Sequence, residues 1–428
     1  MTKTICAAAT APGGAIGIIR VSGSDAITIA NSIFSKDIIN AQANSVIFGT
    51  ICSAPDVVID EVLLTLFRAP HSYTGEDSVE ISCHGSAYIM HSILQLLIQH
   101  GCTMAEPGEY TQRAFLNGKM DLSQAEAVAD LIASQNASQH RVAMSQMRGN
   151  ISNKLVELRE KMLKLTSLLE LELDFSDHEE LEFADRSELL QVTLQIKDEI
   201  SRLSSSFAEG NAIKNGIPVA IVGAPNVGKS TLLNALLQDD KAIVSDIAGT
   251  TRDTIEDTIN IAGILYRFID TAGIRKTNDT IEKLGIERSE KAVEKAQIII
   301  MMRDPNNDFP QLEIREDQKV IKVTNKSEDF QAINGTGLDW LKDKIIECTN
   351  RDTQEDTVLI TNSRHHIALE TAYQDILRSY DALQAGLSGD LVSEDLRQCL
   401  HHLAEITGGE ISNTEVLHNI FKHFCIGK

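Results

Sequence analysis

The segment Gly223–Ser230, with the sequence Gly-Ala-Pro-Asn-Val-Gly-Lys-Ser, places the strongest constraint on what this chain can fold into. It follows the apolar run Val219–Val222, which predicts a buried strand, and precedes a helix predicted at Thr231–Leu237. In a strand–loop–helix context, backbone N–H groups and the helix N-terminus surround a phosphate. Lys229 is expected to neutralise β- and γ-phosphate oxygens, and the Ser230 hydroxyl to bind Mg²⁺. The alternative is a chance glycine turn, and the flanking strand and helix argue against it.

Two further motifs follow this loop in the order expected of a phosphate-binding switch domain. Gly249–Asp253, Gly-Thr-Thr-Arg-Asp, has the character of a switch loop, and its Thr251 would complete a Mg²⁺ coordination shell. Asp270–Gly273, Asp-Thr-Ala-Gly, follows a strand predicted at Tyr266–Ile269. Its aspartate would hold the metal through water, and its glycine N–H would contact the γ-phosphate. Alone this motif could be an ordinary turn. Where it follows the phosphate-binding loop (P-loop) Gly223–Ser230, it indicates a nucleoside-triphosphate switch.

The segment Asn325–Glu328, Asn-Lys-Ser-Glu, indicates which nucleobase the nucleotide site binds. It follows a strand predicted at Val320–Val323 and resembles the guanine motif Asn-Lys-x-Asp, with Glu328 where aspartate is usual. A carboxylate there accepts hydrogen bonds from guanine N1–H and the exocyclic amine, and glutamate offers the same oxygens on a longer arm. Guanine is therefore favoured over adenine, with weaker affinity left open. The remaining base loop, often Ser-Ala-Lys, is reduced to Gln331–Ile333.

Catalytic residues are harder to assign. Ile274 stands where Ras-type GTPases carry the glutamine that orients the attacking water, so another group must do this. Glu282 is the candidate, although such a carboxylate is more often an ordinary solvated helix charge. Positive charge at the transition state could come from Arg252 or Arg275. Alternatively, the side-chain oxygen of Asn226 could help to coordinate a monovalent cation between the phosphates.

Composition and charge limit the other function classes. The 428 residues suggest about three domains. A net charge of −22 argues against a broad, non-specific grip on nucleic acid, although a local basic patch or a basic partner could still hold an RNA. The seven cysteines show no Cys-x-x-Cys spacing, and the first residues lack a signal-peptide pattern, so we expect a reducing cytoplasm. No apolar run is long enough to span a membrane.

The hydrophobic pattern divides the chain into regions. Residues 1 to about 118 read as an α+β domain, with strands predicted at Ile16–Val21, Val57–Phe67 and Val79–Cys83 and a helix at Tyr88–Gln99. From Leu122 the chain becomes helical, and residues 217 to about 350 alternate strand and helix before helices resume. The helical seam comprises Leu155, Leu158, Met162, Leu165 and Leu169. An α/β domain inserted between two halves of a helical domain is the simplest architecture.

Six segments occur in order along the chain: Ala11–Gly23, Tyr73–Asp77, Arg113–Lys119, Gly249–Asp253, Gly285–Ser289 and the tail Phe424–Lys428. Together they resemble the bacterial tRNA-modification GTPases of the MnmE (TrmE) family, across essentially the whole chain. The resemblance implies an α+β N-terminal folate-binding and dimerisation domain at 1–118. It also implies a discontinuous α-helical domain at 119–212 and 353–428, and an inserted α/β P-loop (Ras-like) G domain at 213–352.

The same resemblance implies the reaction and its partners. Proteins of this family are K⁺-activated GTPases that form homodimers and act with an FAD-dependent partner, MnmG (GidA). Together they add an aminomethyl or carboxymethylaminomethyl group to C5 of the tRNA wobble uridine. A one-carbon unit of 5,10-methylene-tetrahydrofolate supplies the bridging carbon. A regulatory GTPase switch of the ribosome-assembly type is the rival hypothesis, and a third is that the N-terminal and helical parts serve only as a scaffold.

Carried over by position, the resemblance assigns residues to each ligand and to catalysis. Folate would contact Arg20, Glu80, Lys119 and Lys428, while Ser230 and Thr251 would bind Mg²⁺. K⁺ would be bound by Asn226, Ser245, Ile247 and Thr250, with Glu282 orienting the water. Cys425 matches the family's terminal cysteine, either as a reactive thiol or as a structural one. The GTP and GDP contacts would be Asn226, Val227, Gly228, Lys229, Ser230, Thr231, Ser245, Asp246, Ile247, Ala248, Gly249, Thr250, Thr251, Asp270, Thr271, Ala272, Gly273, Asn325, Lys326 and Glu328.

Overall fold

The computed structural model describes residues 3–54, 57–174, 186–241, 257–269, 291–349 and 358–409, together with residues 417, 420–422, 424 and 427. The chain divides into two compact units. The first comprises Met1–Ile132, Gln146–Lys164 and Leu396–Lys428, and the second comprises Ala133–Ser145 and Leu165–Asp395.

A six-stranded sheet is the centre of the first unit. Its strands are β1 (Ile5–Ala8), β2 (Ile16–Ser22), β3 (Val46–Ala54), β4 (Val57–Phe67), β5 (Ser78–His84) and β6 (Thr103–Met104). They lie in the order β3-β4-β5-β2-β1-β6, and every neighbouring pair is antiparallel except β1 and β6. The strands predicted at Ile16–Val21, Val57–Phe67 and Val79–Cys83 are therefore confirmed as β2, β4 and β5.

The two faces of this sheet differ in how far helices cover them. Helices α1 (Ala26–Ile33) and α2 (Ala87–Gln99) pack on the inner face, and α3 (Glu109–Leu116) follows β6. In β4, Leu64 is buried while its neighbour Leu63 is 46% exposed, as the period-two alternation of a strand requires. The outer face therefore presents Leu63 together with Phe48 of β3, which pairs with it.

Five helices follow: α4 (Leu122–Ala133), α5 (Ala137–Met147), α6 (Asn150–Asp174), α7 (Arg186–Ser205) and α8 (Phe207–Asn215). The stripe predicted along α6 is confirmed, because none of its five members is more than 5% exposed. Residues three and four apart share one face of a helix, so this stripe is what holds α6 against its neighbours. The stripe comprises Leu155, Leu158, Met162, Leu165 and Leu169.

The second unit contains the sheet that carries the P-loop. Its elements are β7 (Ile217–Gly223), α9 (Lys229–Lys241), β8 (Asp257–Ile261), β9 (Ile264–Phe268), β10 (Ile298–Arg303), β11 (Lys319–Thr324) and α10 (Leu338–Thr349). The strand order is β11-β10-β7-β9-β8, parallel except for the β8–β9 pair. Residues Val219 and Ile221 bury on one face and Ala220 and Val222 on the other, which explains the continuous apolar run.

Two features of this sheet depart from the predicted alternation of strand and helix. The antiparallel strand β8 was not predicted. Between β10 and β11 there is no helix, because Pro305 and Pro310 interrupt residues 304–318 with turns and open backbone. Phe309 and Leu312 pack against the apolar cluster that a linking helix would otherwise cover.

The chain then returns to helix in α11 (Ser363–Gln384) and α12 (Gly389–Thr407). Helix α7, before the P-loop sheet, packs along α11, after it. Phe207 stacks on His366 with ring centroids 4.3 Å apart, and the Lys197 ammonium lies 4.7 Å from the centroid of the Tyr380 ring. Helical segments on either side of the sheet in sequence are thus neighbours in space. In the described part of the chain, no helix is both long and apolar enough to cross a membrane.

Candidate functional site

The P-loop connects the end of β7 to the start of α9, as predicted. Asn226 and Gly228 both adopt left-handed backbone conformations, with φ of 64° and 102°. A Cβ at Gly228 would lie 2.3 Å from Nδ2 of Asn325, so only glycine fits there. The loop therefore turns tightly before Lys229 and Ser230 begin the helix, where N–H groups are available to an anion.

Asn325 joins the P-loop to the base motif. Its side chain is buried, at 4% exposure, and its Nδ2 donates to the Val227 carbonyl at 2.8 Å. Its Oδ1 accepts from the Ala332 N–H at 3.0 Å. One amide therefore fixes the P-loop, the end of β11 and the loop at 331–333 relative to each other.

The neighbouring Lys326 makes a second connection to the P-loop. It has a left-handed backbone, with φ of 60°, and its ammonium donates to the Asn226 carbonyl at 3.1 Å. The structure thus brings Asn226, Val227 and Gly228 together with Asn325 and Lys326. Glu328 is exposed on the loop that follows, and Ile333 is 86% exposed.

The Lys229 ammonium is held by backbone carbonyls inside the loop. It donates to Gly223 O at 2.8 Å and to Ala224 O at 3.0 Å. Burial lowers the pKa of Lys229, because the charged form loses hydration. An anion bound beside this ammonium would favour its charged form. Ser230 lies in the same first helical turn, and Thr231 is exposed beside it.

The other half of the predicted nucleotide site lies outside the described residues, as do the end residues of the tail. The residues concerned are Ser245, Asp246, Ile247, Ala248, Gly249, Thr250, Thr251, Arg252, Asp270, Thr271, Ala272, Gly273, Ile274, Arg275, Glu282, Cys425 and Lys428.

A second cluster lies on the outer face of the N-terminal sheet. Arg20 of β2 stands directly opposite Glu80 of β5, and the guanidinium donates from Nε and Nη2 to Glu80 Oε1 at 2.9 and 2.8 Å. Its Nη1 also donates to the carbonyl of Gly427 at 3.2 Å. Gly427 is packed so closely on β1 that an added Cβ would lie 2.4 Å from Ala8 O. The C-terminal tail thus contacts Arg20, one of the predicted folate residues.

Two tyrosines flank the Arg20 guanidinium. The ring centroids of Tyr73 and Tyr110 each lie 5.6 Å from it, within cation–π range. The Tyr110 hydroxyl donates to Arg20 O at 2.8 Å, and the Tyr73 hydroxyl lies 2.8 Å from Thr111 Oγ1. Burial raises the pKa of both phenols, so both are neutral over the physiological range. Sequence reasoning did not single out either ring, although Tyr73 falls within a matching segment.

Lys119 is placed differently from the other predicted folate residues. Its ammonium donates to the carbonyl of Pro70 at 2.9 Å. Pro70 begins the loop that carries Tyr73 to Arg20. Lys119 therefore contacts the same loop, and the contact with Arg20 is made by Tyr73.

An ion cluster that sequence reasoning missed explains why Tyr73–Asp77 and Arg113–Lys119 occur together. Buried Arg113 pairs with Glu76 Oε2 at 3.1 Å and with Glu109 Oε1 at 2.7 Å. Asn117 Nδ2 donates to the Thr74 carbonyl at 2.8 Å. The two segments are thus tied together directly, and a pairing of opposite charges in the two motifs was the only sequence signal for this.

Comparison with known proteins identifies the family of this chain. A family model described as the GTP-binding protein TrmE N-terminus matches residues 4–119, and one described as the MnmE helical domain matches residues 122–425. A tRNA modification GTPase MnmE of Parabacteroides distasonis is 54% identical over 462 aligned positions, which cover 100% of both chains. The chain belongs to the MnmE family of tRNA modification GTPases.

Other MnmE relatives agree over the same length. The protein of Bacteroides fragilis is 52% identical, with 99% of each chain covered. That of Porphyromonas gingivalis is 47% identical, with 99% of this chain and 98% of its own covered. Among solved structures, Aquifex aeolicus Era bound to GDP and AlF4⁻ is 28% identical over 37% of this chain and 66% of its own. Its TM-score of 0.23 is too low to compare the folds.

The described donors of this MnmE-family chain fit a metal held mainly by a nucleotide. Within the described residues there is no cluster of histidine, cysteine, aspartate and glutamate able to hold a metal ion by itself. The P-loop instead offers the Ser230 hydroxyl beside an anion-binding helix end. Mg²⁺ commonly takes few protein ligands and completes its shell with phosphate oxygens and water. The site therefore suits Mg²⁺ that arrives with a phosphate.

Proposed function

We propose that this chain is a K⁺-activated GTPase that works with an FAD-dependent partner of the MnmG (GidA) kind. Together they add an aminomethyl or carboxymethylaminomethyl group to C5 of the tRNA wobble uridine, with the carbon from 5,10-methylene-tetrahydrofolate. The observation that carries the proposal is the Arg20 cluster, in which Glu80 and the tail carbonyl of Gly427 meet one guanidinium. A GTPase that served only as a regulatory switch has no need of this second polar site.

The nucleotide part of the proposal assigns roles to the P-loop and base motif. Lys229 would exchange its contacts with two carbonyls for β- and γ-phosphate oxygens, and Ser230 would bind Mg²⁺, which neutralises charge as the phosphate leaves. Asn325 and Glu328 would bind guanine. Thr251, Asp270 and Gly273 would close the phosphate side, and Glu282 would orient the water.

Activation by K⁺ rests on the position of Asn226 at the exposed turn of the P-loop. Its carbonyl is taken by the Lys326 ammonium, which leaves its amide oxygen as the group to offer a cation. Ser245, Ile247 and Thr250 would supply the remaining oxygens. A monovalent cation there would place positive charge where other GTPases use an arginine.

The folate part of the proposal follows from the chemistry of the Arg20 cluster. A pterin ring presents N–H donors to a carboxylate such as Glu80 and a flat face to an aromatic ring such as Tyr73. The glutamate tail of a folate presents carboxylates, which suit Arg20, Lys119 and Lys428. Cys425 stands two positions before Gly427 in the sequence, and we propose it as a candidate reactive thiol.

A homodimer formed through the N-terminal domains is supported by the outer sheet face. Phe48 and Leu63 form a cross-strand pair that is 55% and 46% exposed, and Val46 beside them is 60% exposed. A cluster of exposed large apolar side chains is typical of an interaction surface. We propose that a second copy covers it. The domain boundaries 1–118, 119–212, 213–352 and 353–428, and a cytoplasmic location, belong to the same proposal.

Titration with 5-formyltetrahydrofolate, a stable stand-in for the active folate, tests the proposal. We expect saturable binding to the wild-type chain and at least about tenfold weaker binding to Glu80→Gln, which removes one charged partner of the pterin. Glu61→Gln, on the neighbouring strand β4, is the matched control. Failure of the wild-type chain to bind at millimolar ligand would favour the regulatory switch.

A further inference from the structure

A groove beside strand β11 is separate from both sites described above. Among the described strands, β11 lies at the edge of its sheet, so one side of its backbone has no neighbouring strand. The groove has a volume of about 410 Å³ between this edge and α10. It is lined by Val320, Ile321, Glu347 and Cys348. Its cationic and aromatic lining residues are Lys319, Lys322, Lys344 and Trp340.

The groove combines positive charge with an accessible aromatic ring. Trp340 is 46% exposed, whereas tryptophan side chains are on average largely buried. Lys319 and Lys322 are exposed and form no ion pair with any described residue, although the Lys322 ammonium lies 5.5 Å from the centroid of the Phe309 ring. Lys344 pairs with Glu347 at 2.5 Å. Burial raises the pKa of Cys348, which keeps this thiol neutral. The groove is thus a local cationic surface on a chain with a net charge of −22.

Lysines on an edge strand have an ordinary explanation, since they deter pairing with the edges of other sheets. That explanation does not account for Trp340, because an exposed aromatic ring beside an open edge promotes association. Cationic side chains around an exposed ring are the combination with which proteins bind single-stranded nucleic acid. Bases stack on the ring and phosphates meet the ammonium groups.

We infer that this groove binds a single-stranded stretch of RNA, with a base against Trp340 and phosphates at Lys319, Lys322 and Lys344. The inference rests on the proposed function, which makes an RNA the substrate. It adds a contact surface on the P-loop sheet that is distinct from the nucleotide site. An acidic peptide added as an extra strand to β11 is the competing occupant.

Tryptophan fluorescence tests this directly, because Trp340 is the one tryptophan in the chain. The full-length protein is titrated with a short oligouridylate at low salt. We expect saturable quenching that weakens as salt rises. The double variant K319E/K322E keeps charge on the edge strand but reverses its sign, and should weaken binding at least about tenfold. K161E/K164E makes the same charge change at exposed positions of α6 and should leave binding unchanged.

A labelled oligouridylate followed by anisotropy then separates stacking from charge. W340A should weaken binding by roughly tenfold, and W340F by less, because phenylalanine keeps a ring face. Equal binding by wild type and K319E/K322E, or no quenching at all, would overturn the inference. Equally strong binding of polyglutamate would overturn it in favour of the acidic peptide. GTP hydrolysis and folate binding, measured on the same samples, report on the proposed function separately.

Discussion

Asn325 is the residue on which the described half of the nucleotide site depends. Replacement by alanine leaves the Val227 carbonyl and the Ala332 N–H in a buried place without their partner. We expect N325A to lose about 1–3 kcal/mol of unfolding free energy, because unpaired buried polar groups are costly. It should also bind GDP more weakly, since the P-loop is no longer fixed to β11. Urea unfolding and a titration with labelled GDP measure the two effects. In N334A, at an exposed position of the next loop, both should stay near wild type, and equal losses in the two variants would contradict the role given to Asn325.

Lys229 gives a prediction about pH. Its pKa is lowered in the folded chain from 10.5, so between the lowered value and 10.5 the unfolded chain binds more protons. Stability of the nucleotide-free protein should therefore rise with pH through that window as a result of this group. K229M should remove this contribution, which urea unfolding at several alkaline pH values would detect as a smaller slope. An unchanged slope would show that Lys229 is not desolvated.

At the scale of elements, helix α8 packs against the segment that leads into α11. A Cβ at Gly210 would lie 2.2 Å from the carbonyl oxygen of Ile360. Helix propensity alone favours alanine over glycine by about 1 kcal/mol, whereas forced overpacking costs about 1–3 kcal/mol. Because backbone cannot move aside as a side chain can, we expect G210A to be destabilised in thermal or urea unfolding. A208G, at an exposed position of the same helix, measures the difference in helix propensity between alanine and glycine without the packing effect. A more stable G210A would refute this packing.

The elements show which parts of the fold could be predicted. Long, strongly periodic segments such as the α6 stripe and the alternating strand β4 were predicted at nearly their observed bounds. The short strands β1 and β8 were missed. Strand β1 has four residues without alternation, and β8 alternates over only five residues. Edge strand β8 is antiparallel, and its position depends on pairing with β9 rather than on its own sequence.

The candidate sites show the same division. The P-loop and Asn325 were predicted because the phosphate and the base demand particular residue types at fixed spacing. Arg113 and Tyr110 were not, because their partners are up to about a hundred residues away and only the fold brings them together. Gly427 and Arg20, which form a hydrogen bond, are 407 positions apart in the sequence. Only the family resemblance placed the tail and Arg20 at one site.

At the scale of the whole molecule, the outer face of the N-terminal sheet predicts the assembly. If a second copy covers Phe48 and Leu63, the doubly substituted F48D/L63D chain should dissociate, because two carboxylates would be buried without partners. Light scattering coupled to size exclusion should give a dimer for wild type and a monomer for this variant. Y88D, at a 78% exposed site on α2, should remain a dimer. A monomeric wild type would contradict the proposed assembly.

We expect a cation bound at Asn226 to activate hydrolysis of GTP. The most direct measurement is the rate of GTP hydrolysis by the full-length protein in K⁺ and then in Na⁺ at equal ionic strength, for wild type and Asn226→Ala. The wild type should be strongly active in K⁺ alone, and the variant should lose the K⁺ response because one oxygen ligand is removed. Equal rates in both salts, or a variant that still responds to K⁺, would contradict it.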